Sequence, residues 1–341
     1  MQLATFYPDR IVIKSYKKKS IIDVYDKWID TTGKQKSLDN LKKQKSKLEL
    51  SKSSKRNISR SFLNLFFHSK ARTVKFSSNK FIYNYKASFI TLTLPSEQKH
   101  DDVVIKERLN VFLQLLRSKY DVKNYVWKAE LQKNKNIHFH LIIDKYVNYG
   151  ALKYYWNKAI KPLGYIDGYC NKFKKMSLNE YVNLRSKNCD LKRKKFFESY
   201  KKAYFKGVET GWRSPNSVDV VSIKNSKSLG YYLAKYVTKD LTNPDDVEPI
   251  EIDIDRVSKF GKIWSRSQSL SRLKFINKIE YSEIKEIIKK LKTKGNCIID
   301  KYYDYCRVIY LKLENCPKWF KQLHTTILKS LAEADLYPFP T

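Results

Sequence analysis

Residues 137–144 read Ile137-His138-Phe139-His140-Leu141-Ile142-Ile143-Asp144, and the fold follows from how that stretch is read. Its β-branched and aromatic residues, set after a polar Lys-Asn run, predict a strand. Side chains on a strand alternate between faces, so positions two apart point the same way. His138 and His140 therefore share one face, while Phe139, Leu141 and Ile143 pack on the other. Two imidazoles side by side on a rigid strand make half of a divalent-metal site. The plainer alternative is a pair of satisfied polar residues.

Working outward, Ala87 to Leu94 is rich in β-branched residues and stops at Pro95, which cannot continue a ladder. It reads as the first core strand. Asp101 or Asp102 can cap the helix that follows. Ile105, Leu109, Phe112, Leu113 and Leu116 then form a helical core stripe. Val122 to Leu131 reads as a second strand. Asn134-Lys135-Asn136 is a turn, which returns the His strand antiparallel beside it. A helix with Leu152, Tyr155, Trp156 and Ile160 comes next. Val218 to Ile223 is the fourth strand, and Ser228 opens a helix running to Lys239.

This order predicts an α+β fold, a central antiparallel sheet of RRM- or ferredoxin-like form with packed helices. Residues 162–215 read as an insertion. In it, Lys192-Arg193-Lys194-Lys195 and Lys201-Lys202 sit among Phe196, Phe197, Tyr200, Tyr204 and Phe205. The helical spacing of those rings predicts a packed stripe, which a basic face could accompany. The expected domains are a basic N-terminal extension (1–85), a core domain (86–240) and a small C-terminal α/β unit (241–341). The extension holds a short strand at Arg10–Ile13 and a charge run from Leu41 to Arg60, read as a solvated helix face, a mobile arm or a DNA-contacting arm. In the C-terminal unit, Phe260 to Arg266 is a basic-aromatic segment. Ile284, Ile287, Ile288 and Leu291 mark a helix, Cys306–Leu311 a strand, and Trp319–Leu331 another helix.

Composition narrows the partner. Lys and Arg number 69 against 34 Asp and Glu, a formal net charge of +35. That excess implies a polyanion, nucleic acid before membrane. The 25 Tyr, 17 Phe and 6 Trp add rings on which bases can stack, as single strands require. The first ten residues lack the apolar run of a secretory leader. No apolar run reaches the roughly 18 residues of a membrane span. Cys170, Cys189, Cys297, Cys306 and Cys316 are odd in number and lack Cys-x-x-Cys spacing, which argues against a zinc ribbon or a disulfide framework. A cytoplasmic protein is expected, in the host cytoplasm if viral. No Gly-rich phosphate loop with a Gly-Lys-Ser/Thr ending is present, so no built-in helicase motor is expected.

The helix after Ser228 carries a second chemical signal. Tyr232 and Tyr236 are four apart and share a face, with Lys235 and Lys239 each three residues after a tyrosine. A Tyr hydroxyl has a pKa near 10, so only about one in a thousand is ionised at pH 7. As a nucleophile it needs help worth up to roughly 4 kcal/mol. A nearby ammonium stabilises phenolate, and a metal on a target phosphate lowers the charge that the attacker meets. A metal strand with a Tyr/Lys helix makes sense as one apparatus for phosphoryl transfer. Alternatively, the tyrosines are a core stripe beside Leu233 and Val237.

The His-hydrophobic-His strand, the upstream Phe-Ile-Thr-Leu-Thr strand and the downstream Tyr-Leu-Ala-Lys-Tyr-Val-Thr-Lys helix occur in that order. Together they resemble the three motifs of the HUH endonuclease superfamily, over about residues 86–240. The pair Tyr232/Tyr236 is similar to that of the two-tyrosine rolling-circle replication initiators of small single-stranded DNA phages and some plasmids. The resemblance implies that His138 and His140 hold one Mg2+ or Mn2+. It also implies a third ligand from the neighbouring strand, for which Glu130 is the candidate; a salt bridge from Glu130 to Lys128 or Lys133 is the other reading. Tyr232 would attack DNA to give a 5′-phosphotyrosine link and a free 3′-OH. Tyr236 would cut the newly made origin, and Lys235 and Lys239 would lower the phenol pKa or hold phosphate oxygens. A mechanism with only one of the two tyrosines is also open.

The implied partners are single-stranded DNA at a replication origin and a host helicase and polymerase. Two rival classes are compatible with the same sequence. One is a non-catalytic single-stranded nucleic-acid binding protein on an RRM-like sheet. The other is a relaxase or transposase of the same superfamily.

Overall fold

The computed structural model describes residues 2–6, 10–15, 50–75, 81–85, 87–223, 254–272, 276–293, 297–303 and 306–311. It is an α+β protein with two compact units. Among the described residues, one unit is built from both ends of the chain and the other from residues 87–222 and 254–265.

The first elements are strands β1 (Gln2–Phe6) and β2 (Arg10–Ser15), which pair antiparallel. Helix α1 (Lys52–His68) starts at Ser51, whose side chain accepts from the Ser54 N–H at 3.1 Å. Ile58, Phe62, Leu65 and Phe66 are buried on one side of it. Lys52, Arg56 and Arg60, four apart in turn, are exposed. The described part of the 41–60 charge run is thus a solvated helix face. The ribbon β3 (Ala71–Lys75) and β4 (Phe81–Tyr85) follows.

The second unit begins with β5 (Ser88–Leu92), α2 (Asp102–Tyr120), β6 (Tyr125–Leu131), β7 (Ile137–Ile143) and α3 (Tyr149–Ile160). The insertion adds a short 3-10 turn at 161–163, then α4 (Tyr165–Lys174), α5 (Leu178–Ser186) and α6 (Asp190–Glu209). The unit ends with β8 (Val218–Ser222), α7 (Ile254–Lys259) and β9 (Trp264–Arg266). Its sheet runs β8-β5-β7-β6-β9, and β7 lies antiparallel between β5 and β6.

Period-2 alternation sorts this sheet into two faces. Ile90, Leu92, Ala129, Phe139 and Leu141 are buried on one. Helix α3 packs there: Trp156 meets Phe139 at 6.2 Å and Phe112 of α2 at 5.7 Å, and its indole N–H donates to Thr93 O at 2.8 Å. Each fully buried side chain of this size contributes about 1.5–3 kcal/mol. The other face carries His138 and His140.

A polar network ties the loop after β5 to the start of the His strand. Asp101 is the N-cap of α2, but neither Asp101 nor Asp102 caps through its side chain. Asp102 instead receives both Arg256 Nε and Nη2 at 2.7 Å, and Gln98 Nε2 at 2.8 Å. Gln98 Oε1 accepts from the Ile137 N–H at 2.7 Å.

In the insertion, the expected packed stripe on 196–205 is corrected. No residue of α6 is buried, and Phe196 and Phe205 are exposed. Among the rings, Tyr204 is the one drawn into a cluster with Tyr181 and Trp212, at 5.6 and 5.7 Å. The helix rests mainly on short α5, which cannot cover a whole stripe. Trp212 lies so close that a Cβ on Gly207 would sit 2.4 Å from its ring, so this helical position requires glycine.

The chain then adds α8 (Gln268–Arg272), β10 (Ile276–Glu280), α9 (Tyr281–Thr293), β11 (Cys297–Tyr303) and β12 (Cys306–Leu311). These strands join β1 and β2 in a second five-stranded sheet, β10-β1-β2-β12-β11. The expected helices at 228–239 and 319–331 lie outside the described residues.

Candidate metal centre

The register of β6 and β7 sets Glu130 opposite His138 and Lys128 opposite His140. On the other side of β7, Thr91 stands opposite His140. Period-2 alternation puts all five side chains on the face away from α3. The sequence-predicted residues Glu130, His138 and His140 are therefore brought together. Tyr232, Lys235, Tyr236 and Lys239 lie outside the described residues.

The three ligand-type side chains point single atoms at one another. His138 Nε2 and His140 Nε2 are 2.8 Å apart, and Glu130 Oε2 is 3.0 Å from His140 Nε2 and 3.4 Å from His138 Nε2. An octahedral ion with bonds of about 2.1 Å separates adjacent ligand atoms by about 3.0 Å, so the triangle has the size of one octahedral face. The donor set also fits. His140 Nδ1 is 3.3 Å from Thr91 Oγ1, an outer contact of the kind that orients a ligating imidazole. His138 Nδ1 is buried and has no hydrogen-bond partner among the described residues, so only its Nε2 is engaged.

Electrostatics keeps His140 and Glu130 in ligand form. Burial, opposed by Glu130, lowers the His140 pKa to about 4, so its imidazole is neutral at pH 7. Burial would raise Glu130, but hydrogen bonds to His138 and His140 outweigh it and hold the carboxyl well below the usual range. Neutral imidazole and ionised carboxylate are the forms that bind a cation.

Sequence reasoning left the two roles of Glu130 open, and the geometry accommodates both. Oε2 faces the histidines, while Oε1 lies 3.1 Å from Lys128 Nζ. Lys128 is only 4% exposed. A lysine is seldom so buried unless paired. The signal available in the sequence was Lys128-Ala129-Glu130, two opposite charges on one face of a strand. Asp219, opposite Thr91 on β8, is a further acid on this face and is exposed.

Fold and site together define an α+β protein with a clustered His/His/Glu donor set in a strongly basic chain. A family model of replication-associated proteins, the ORF2 family, matches residues 87–241. That span takes in β5 to β8 with Glu130, His138 and His140, and it supports a replication initiator role. No curated protein and no solved structure gives a significant match. Among the described residues, no helix is long and apolar enough to cross a membrane.

Proposed function

We propose that the chain initiates rolling-circle replication as a metal-dependent, site-specific single-strand DNA endonuclease and strand transferase. The observation that carries this reading is the convergence of Glu130, His138 and His140 inside the segment that resembles replication-associated proteins. Those three residues would hold Mg2+ or Mn2+, which when bound supplies Lewis-acid stabilisation of charge on the scissile phosphate. Thr91 and Lys128 orient His140 and Glu130 from behind.

Tyr232 is the proposed nucleophile. Its phenolic oxygen bonds to the scissile phosphorus as the bond from phosphorus to O3′ breaks. The phenolic proton is lost, O3′ gains a proton, and the products are a 5′-phosphotyrosine and a free 3′-OH. Lys235 and Lys239 stabilise the phenolate or hold phosphate oxygens. Tyr236 repeats the reaction on the regenerated origin, which lets the displaced strand be rejoined. The net charge of +35 supports a DNA substrate. Host helicase and polymerase would extend the 3′ end.

The test is covalent. Incubation with Mn2+ and single-stranded DNA of the encoding replicon should yield a protein–DNA adduct. Tyr232→Phe should weaken it and Tyr232→Phe/Tyr236→Phe remove it, with the linked peptide mapping to residues 228–240. A full-strength adduct in the double variant rejects the tyrosine assignment. His138→Ala or His140→Ala should abolish nicking while DNA binding persists.

A further inference from the structure

Across the sheet from the His/Glu cluster, α3 and α4 line a cleft of about 900 Å3, to which Arg213 and Ser214 also contribute. One stripe of α3 and the turn after it line one wall: Lys153, Tyr154, Asn157, Lys158 and Lys161, a helical repeat. Asp167, Cys170, Asn171 and Lys174 of α4 line the other. The opposite stripe of α3, with Leu152, Trp156 and Ile160, is buried in the core. Helix α3 is thus anchored on one side and presents charge on the other.

The cleft gathers four lysines and one arginine around a single acid, Asp167. Among the described residues, no carboxylate forms an ion pair with Lys158, Lys161, Lys174 or Arg213. Like charges gathered in a concave site repel one another and favour an anion there. Tyr154 stands in the wall with 61% of its surface exposed, its ring meeting that of Tyr155 in a T-shaped contact at 5.2 Å. Cations that follow a backbone beside an exposed ring are the recognition mode of single-stranded nucleic acid. The sheet and α3 separate the cleft from the His/Glu face.

We propose that this cleft binds a second stretch of single-stranded DNA, away from the scissile phosphate. Lys158, Lys161, Lys174 and Arg213 contact phosphates, and Tyr154 stacks on a base. The inference shares with the proposed function only the premise that the substrate is DNA.

The test is binding of a mixed-sequence single-stranded oligonucleotide to the full chain in EDTA, titrated against salt. Each phosphate contact on a single strand adds about 0.7 to the slope of log affinity against log salt. Lys158→Gln/Lys161→Gln/Lys174→Gln should therefore flatten the slope by about 2, and the Lys→Arg triple should restore it. The fluorescence of Tyr154→Trp should be quenched by the single strand and not by heparin. An unchanged slope in the Gln triple overturns the proposal. So does a missing quench, which decides the matter even if the triple fails to fold. A quench by duplex but not by single strand overturns the assignment to single strands. Because no divalent metal is present, the outcome is separate from nicking. An active nuclease with an unaltered slope removes the cleft alone, and a flattened slope in a chain that never nicks removes the nuclease reading alone.

Discussion

Lys128 Nζ sits 3.1 Å from Glu130 Oε1, on the same strand and the same face. This buried contact leaves Oε2 as the carboxylate oxygen directed at both imidazoles. Lys128 acts through Glu130 rather than on substrate, so it is a positioning residue in the proposed site.

Lys128→Met should therefore lower Mn2+ affinity by about ten- to a hundredfold, the usual effect of removing an outer-shell partner. Lys128→Arg should recover part of the loss. Calorimetric titration with Mn2+ checks this, and unchanged affinity in Lys128→Met would deny the lysine its role.

Metal binding should also be visible in stability. A ligand at about a hundred times its Kd stabilises the folded state by about 2.7 kcal/mol. Mn2+ should raise the Tm of the wild-type chain, and His138→Ala/His140→Ala should abolish the increment. Equal melting with and without Mn2+ in the wild type would contradict the site.

Lys106 supplies a pH dependence well away from the cluster. Burial, opposed by Asp102 and assisted by Arg256, lowers its pKa to about 8, and its ammonium lies over the Phe260 ring at 3.7 Å. The unfolded chain keeps that proton up to its ordinary value of 10.5, so between pH 8 and 10.5 the unfolded state holds more protons. The cost of burying the charge is full below pH 8, and this lysine makes the fold more stable as pH rises through that window. Denaturant unfolding of the wild type minus Lys106→Met, at pH 7 and pH 10, should show the difference moving in favour of the wild type. A difference that does not change with pH would refute it.

Gly207→Ala should destabilise the insertion by about 1–3 kcal/mol, the usual cost of overpacking. The new methyl would meet the Trp212 ring at 2.4 Å. Trp212→Leu should relieve the clash, so a double-mutant cycle should give a coupling well above the additive limit.

The parts of this fold legible in the sequence are those whose signal is local. The stretch before Pro95 is rich in β-branched residues, the His strand is β-branched and aromatic, and the Ile105–Leu116 stripe repeats with the helix period. Strands β5 and β7 and helix α2 lie where those signals put them, and β6 lies within the expected 122–131 strand. The closeness of Glu130 to His138 followed from one turn and one register. What was not legible depends on partners distant in the chain. Nothing near Arg256 announces Asp102, 154 residues away. Nothing near Ile11 announces Ile309, its partner in the second sheet. The rings of α6 have core spacing, but spacing does not say whether a neighbour exists to cover them.

The turn between β6 and β7 closes with Gln132 N–H on Asn136 O at 2.9 Å, with Lys135 in a left-handed conformation at φ 64°. It works as a gauge block for the whole centre. A one-residue slip of the β6/β7 pairing that it sets would leave both strands intact yet turn Glu130 and the imidazoles to opposite sides. Insertions can lengthen the helical lobe without touching the chemistry, whereas this short bend has no such freedom.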